Sequence, residues 1–228
     1  MRFQSASPDA RAVVYAGIQA DPLVARTARL LADATPAQLV MARAVMNGET
    51  TEPDRWRRMF PTVFRGAAAA ASEAILAASL EVAERGEQAR SQYRGAIVEE
   101  LTQVLVGRRV PPTAVHRERR VLFDGVRAEI HPYDVTVELP ERAEVYDCKW
   151  GARGINADVL NQLDDAQVHA TAEGARVLVA LVVFDARRSC EVRLVRSSAP
   201  RGQTRLFGLE TMHKLGGRPA ANPADSAR

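Results

Sequence analysis

An α/β fold behind a helical N-terminal part is what three features of the sequence predict. The first ninety residues are patterned as helix throughout, strand-like segments crowd between 120 and 150, and a helix leading into an eight-residue apolar run follows them. At 228 residues, 46% apolar and 26% charged, the chain can bury a core, and at ~150 residues per domain it makes one large domain or two small ones. The organisation expected is a helical subdomain over 1–90, an α/β domain over 91–213 and a disordered tail over 214–228.

In the first part, Thr35-Pro36-Ala37-Gln38 combines an N-cap, a proline at the first helical position and a capping-box glutamine. Leu39, Val40, Val45 and Met46 follow, and Gly48 ends the helix. A short helix starts at Pro53, and an Ala-rich one runs from Phe64 to Arg85. Tyr93, Ile97, Leu101, Val104 and Leu105 then mark one face of an amphipathic helix that Gly107 closes. Beyond it the period changes. Arg120 to Phe123 and Val126 to Glu138 read as strands about a turn at Asp124-Gly125, and Glu144 to Trp150 as a third strand. Ile155 to Ala166 recovers the helical period, with Asn156 as N-cap and Gly174 as the stop. Val177 to Phe184 is apolar on both faces, as a central parallel strand is. Glu191 to Arg196, where charges alternate with Val192, Leu194 and Val195, reads as an edge strand.

Composition narrows the function classes. No apolar run approaches the ~20 residues of a membrane helix, and Met1 to Ser5 lacks the apolar block of a signal peptide, so a soluble, cytoplasmic protein is expected. Two cysteines, Cys148 and Cys190, make neither a metal cage nor a disulfide framework. A net charge of +3 permits a phosphate-bearing partner without requiring one. Only Lys149 and Lys214 among the 31 basic residues are lysines, and in such an Arg-rich chain a lysine can mark a place where a compact ammonium is needed.

The segment Val145-Tyr146-Asp147-Cys148-Lys149-Trp150 carries the most chemistry. Alternation puts Asp147 and Lys149 on one side of the strand and Tyr146, Cys148 and Trp150 on the other. An acid and an ammonium on a covered strand are costly unless paired or functional; a cross-strand ion pair is the plain alternative. Asp134 stands among strand formers in Tyr133-Asp134-Val135-Thr136, either capping the turn at Pro132 or serving the same site. Were the two strands adjacent, two carboxylates and one ammonium would converge. That set suits Mg²⁺, which takes few protein ligands and keeps several waters, with the lysine orienting or helping to deprotonate an attacking water.

Asp134 followed by Asp147-Cys148-Lys149 resembles the PD-(D/E)XK nuclease superfamily of restriction endonucleases, junction resolvases and repair and defence nucleases. The resemblance covers about residues 91 to 196. It implies a restriction-endonuclease-like mixed sheet flanked by helices, here with an all-helical N-terminal subdomain. It further implies Mg²⁺, with Mn²⁺ as a substitute, held by Asp134, Asp147 and the backbone carbonyl of Cys148, and a water positioned by Lys149. The family's helical glutamate falls in Arg94-Gly95-Ala96-Ile97-Val98-Glu99. Glycine spacing favours Glu99, whereas the apolar stripe between Ile97 and Leu101 runs nearer Glu100; Glu99 is the choice.

Five arginines, Arg108, Arg109, Arg117, Arg119 and Arg120, surround Glu118 before the motif and suit a phosphate backbone, or make an ordinary solvated loop. Gln162 and Gln167 read as solvated helix positions, His131 as structural, and Trp150 as core rather than a base-stacking platform. Gly151-Ala152-Arg153-Gly154 lacks the spacing of a P-loop. The function expected is a metal-dependent nuclease acting on DNA in repair, restriction or defence, as a homodimer or with an activating partner protein and without a membrane. The rivals are a ribonuclease or toxin on the same fold, a non-catalytic nucleic-acid-binding module with a helix-turn-helix over Thr35 to Phe60, and a protein-interaction subunit on a nuclease-like scaffold.

Overall fold

The computed structural model describes residues 1–6, 10–123, 126–127, 131–197 and 204–217. The apolar run becomes β6 (Val177–Val183), flanked in parallel by β5 (Arg142–Lys149) and β7 (Arg205–Phe207). On the far side of β5 the pairing turns antiparallel, through β4 (Tyr133–Leu139), β2 (Val115–Phe123) and β1 (Arg2–Ser5). The short β3 (Val126–Arg127) pairs with β2 off this path. The described residues thus form a seven-stranded mixed sheet in the order β1-β2-β4-β5-β6-β7.

Helices cover both faces. α6 (Glu87–Val106) lays Ala96, Ile97, Leu101 and Leu105 against Val135, Val137, Tyr146, Cys148 and Val182. On the other face α7 (Ala157–Ala172) sets Leu160, Leu163, Ala166 and Ala170 against Val145, Val179, Leu181 and Val183. Asn156 caps α7 by accepting from the Val159 N–H at 2.9 Å, and Gly174 turns the chain out with φ +65°. The remaining helices are α1 (Ala10–Gln19), α2 (Pro22–Ala32), α3 (Pro36–Asn47), α4 (Pro53–Met59), α5 (Ala69–Ala83) and α8 (Arg187–Arg196). The Thr35 capping box of α3 is complete in both directions.

The N-terminal helices do not form a core of their own. Leu23, Val24, Leu31, Met41, Val45, Ile75 and Leu76 join the same buried cluster as the sheet residues under α6. By composition alone Gly66–Ala83 is long and apolar enough to cross a membrane, at a mean hydropathy of 1.3. Its Ile75, Leu76, Leu80 and Val82 are nevertheless packed inside this core.

Several expectations are corrected. The N-terminal part is not wholly helical, because Arg2 to Ser5 pair with Arg119 to Leu122 as an edge strand. Glu191 to Arg196 belongs to α8, not to a strand. Cys190 and Leu194, four apart, face the core, Arg187 pairs with Glu191 at the same spacing, and β7 already occupies the edge of β6. The long strand expected from Val126 to Glu138 is divided between β3 and β4, and the turn at Asp124-Gly125 lies outside the described residues. In the expected tail, Lys214 to Gly216 close a 3-10 turn (Met212–Gly216), while 218–228 lie outside the described residues.

Candidate functional site

The antiparallel part of the sheet opens at one point, and the acidic residues gather there. β4 and β5 pair from Leu139↔Arg142 to Val135↔Tyr146, a register in which Asp134 and Asp147 come next. β2 and β4 pair at Arg117↔Val135 and again at Arg119↔Tyr133, which places Glu118 opposite Asp134. Glu118 has φ +51°, the one non-glycine residue with positive φ among those described. A left-handed residue inside a strand costs about 1–3 kcal/mol and persists only where its surroundings enforce it. Beyond this kink Tyr133 changes faces, and its hydroxyl donates to the Gln162 carbonyl of α7.

Asp134 replaces the missing ladder partner. Its Oδ2 accepts from the Cys148 N–H at 2.5 Å. Since the Lys149 carbonyl accepts from Phe184 N on the β6 side, alternation directs the Cys148 carbonyl towards β4, the side of Asp134. Lys149 Nζ lies against Asp147 Oδ1, a buried oxygen that receives no hydrogen bond of good geometry. The lysine stem is held from above: a Cβ on Gly154 would meet its Cδ, Cβ and Cγ at 3.0 to 3.2 Å. The Gly-Ala-Arg-Gly loop is therefore a wall against Lys149.

Glu99 reaches the same place from α6. It is 6% exposed, with Oε1 accepting from the Tyr15 hydroxyl at 2.6 Å and Oε2 from Gln19 Nε2 at 2.7 Å. Glu100, one position on, forms an ion pair with Arg117 instead. Gly95 permits the arrangement, because a Cβ there would lie 3.0 Å from Tyr15 Oη.

The charges are unbalanced in favour of carboxylates. Burial, then the nearby Asp147 and Glu99, push the Asp134 carboxyl well above its usual range, against Lys149 and the Cys148 N–H. Burial also raises Glu99, although Tyr15, Gln19, Arg117 and Lys149 favour its charged form. Burial and the Glu99 charge raise Glu118, which Gln19 and Arg117 oppose. For Lys149 burial disfavours the ammonium, but Asp134 and Asp147 outweigh it and raise its pKa. Lys149 is thus a hydrogen-bond donor here. The Tyr15 hydroxyl, raised by burial and by Glu99, is a donor too.

Among the described residues no three His, Cys, Asp or Glu side chains form a ready-made metal cage. Oxygen donors of the kind a hard cation with several waters takes nonetheless stand together: Asp134, Asp147, whose Oδ1 pairs with Lys149, and the Cys148 carbonyl. Carboxyls that burial pushes towards their neutral form are what such a cation would return to the charged form.

The other candidates lie elsewhere or are engaged. Arg108 pairs with Asp33, Arg109 with Glu144, Arg117 with Glu100 and Arg119 with Glu138, and Arg120 has an interaction of its own. Gln162 is buried rather than solvated, bracing the main chain of His131 through N–H and carbonyl at 3.3 and 3.0 Å. Gln167 is half-buried near the other end of the sheet. Trp150 stacks on Phe184 at 4.9 Å and donates to Asn47. Sequence reasoning missed Tyr15, Gln19 and Glu118. The i, i+4 spacing of Tyr15 and Gln19 signals a shared helix face, but nothing local tells that this face meets Glu99 eighty residues away.

No family model matches the chain, and no curated protein matches its sequence. Among solved structures it is similar to the crystal structure of protein VC1899 from Vibrio cholerae, at 16% identity and a TM-score of 0.48, covering 95% of this chain and 57% of that one. The chain spans little more than half the length of that protein, and a likeness at this level assigns neither fold nor function.

Proposed function

We propose that this chain is a PD-(D/E)XK-type, metal-dependent nuclease hydrolysing phosphodiester bonds, with DNA as substrate, serving repair, restriction or defence. The observation that carries the reading is the convergence of Glu99, Asp134, Asp147 and Lys149 where the sheet opens, with more buried carboxylate than cation to balance it.

In this reading Asp134, Asp147 and the Cys148 carbonyl hold Mg²⁺ or Mn²⁺. The bound cation supplies Lewis acidity to the phosphate and acidifies water. Lys149, kept protonated by its neighbours, orients the attacking water and a phosphate oxygen through its N–H bonds. Glu99, steadied by Tyr15 and Gln19, offers a fixed acceptor to a water at the edge of the site. Glu118, opposite Asp134, adds a carboxylate to the same opening.

The test is incubation of the purified protein with supercoiled plasmid, linear duplex and single-stranded RNA in Mg²⁺, Mn²⁺ or EDTA, beside Lys149→Ala. Metal-dependent cutting that falls at least a hundredfold in the variant, with its circular dichroism unchanged, is expected, and the substrate consumed fixes the class. Equal cutting by the variant overturns the assignment. A second reading has its own observation: Asp134, Glu99 and Lys149 each have a protein partner, as in a structural ion-pair network. A non-catalytic nucleic-acid-binding or protein-interaction module would bind duplex or partner equally in EDTA and Mg²⁺ and cut nothing.

A further inference from the structure

At the opposite end of β5 from Asp147 and Lys149, a cavity of about 620 Å³ opens between the starts of β5 and β6, strand β7 and the Met212–Gly216 turn. Small-molecule sites occupy roughly 300–1,000 Å³. The charge around it is one-sided: Arg109, Arg142, Arg176, Arg205 and Lys214 line it, with Glu144 as the one carboxylate in the wall among the described residues. Glu144 is already held by the Arg109 fork, and Arg142 lies 3.7 Å from it. Arg176, Arg205 and Lys214 are exposed and pair with no carboxylate among the described residues. Cations gathered on one concave surface without counter-charges attract an anion, and guanidinium groups suit the oxygens of a phosphate.

Apart from Gln167 and Tyr146, the rest of the wall is apolar. Val177, Leu178 and the half-buried Phe207 contribute to it. A phosphate alone leaves that surface unused, whereas a planar base can lie against an aromatic ring. We propose that this cavity binds a nucleoside phosphate, its phosphate among Arg176, Arg205 and Lys214 and its base against Phe207 and Leu178. It is separate from the carboxylate cluster, because Glu144 and Lys149 stand five residues apart on β5, about 17 Å at the rise of a strand. The shared chemistry has two sources, a free nucleotide or one nucleotide of a longer strand.

Calorimetric titration of the full chain in EDTA tests this, with 5′-AMP, adenosine, inorganic phosphate and a 5′-phosphorylated hexanucleotide as probes. The expected result is AMP binding at least tenfold tighter than adenosine or inorganic phosphate, weakened at least tenfold by Arg176→Ala combined with Arg205→Ala. Binding of the hexanucleotide with the same sensitivity, and none of AMP, also upholds the site and identifies a strand as its occupant. Unchanged affinity in Lys149→Ala separates it from the proposed nuclease centre, whose own failure would leave these titrations unaffected. Adenosine or phosphate matching AMP, full affinity in the double variant, or no binding by any probe overturns the proposal.

Discussion

At Asp134 burial and two like-charged neighbours oppose ionisation while the Cys148 N–H favours it. An amide oxygen can keep that hydrogen bond without the repulsion. Asp134→Asn is therefore expected to raise the stability of the protein in EDTA by on the order of 1 kcal/mol, measured by urea unfolding, while cutting is lost. A stability loss would make Asp134 a structural acceptor only. Glu144 shows the opposite balance. Burial works to raise its pKa, but hydrogen bonds from Arg109 and the Tyr146 hydroxyl outweigh it and hold the group below the ordinary 4.5. A depressed carboxyl stabilises the fold fully above its unfolded pKa and ceases to do so as pH falls through the folded one. The thermal midpoint of the wild type should therefore drop below about pH 4.5, and Glu144→Gln, which cannot titrate there, should lose that part of the acid dependence.

Within α6, the site depends on a position where a methyl group has no room. Gly95→Ala improves helix propensity by up to ~1 kcal/mol, yet its Cβ would press on Tyr15 Oη and shift the hydroxyl from Glu99. Cutting should fall about tenfold with stability little changed, Tyr15→Phe should match it, and the double variant should add no further loss, because one contact is removed by either route. The same helix shows how much a sequence discloses. Caps and periods are local, so the Thr35 box, the Asn156 cap and the apolar run of β6 were legible. Alternation places Asp147 and Lys149 on one face of their strand, but that Asp134 lies beside them rests on the β4–β5 pairing, which no local pattern discloses. Choosing Glu99 over Glu100 needed the tertiary direction of α6. β1 was hidden because four residues make a strand only when β2, more than a hundred positions on, accepts them. α8 resembles a strand in sequence because charges fall between Val192, Leu194 and Val195, whereas Val192 and Val195 are exposed and Cys190 and Leu194, four apart, carry the burial.

For the molecule as a whole, one core joins the N-terminal helices to the sheet, with α6 buried between them. A fragment of residues 91–217 would expose Ile97, Leu101 and their neighbours and lose Tyr15 and Gln19. It is expected to lack a cooperative thermal transition, whereas the full chain should unfold in one step, both followed by circular dichroism. The same continuity reaches the lysine. Arg43 of α3 donates at 2.8 Å to the Phe184 carbonyl and to Asp185, whose carboxylate accepts from the Ala152 N–H at 3.0 Å, at the base of the loop that presses Gly154 on Lys149. By these bonds the helical layer braces the wall on which the lysine stem leans, so that the helices serve as a buttress to the sheet as well as its cover.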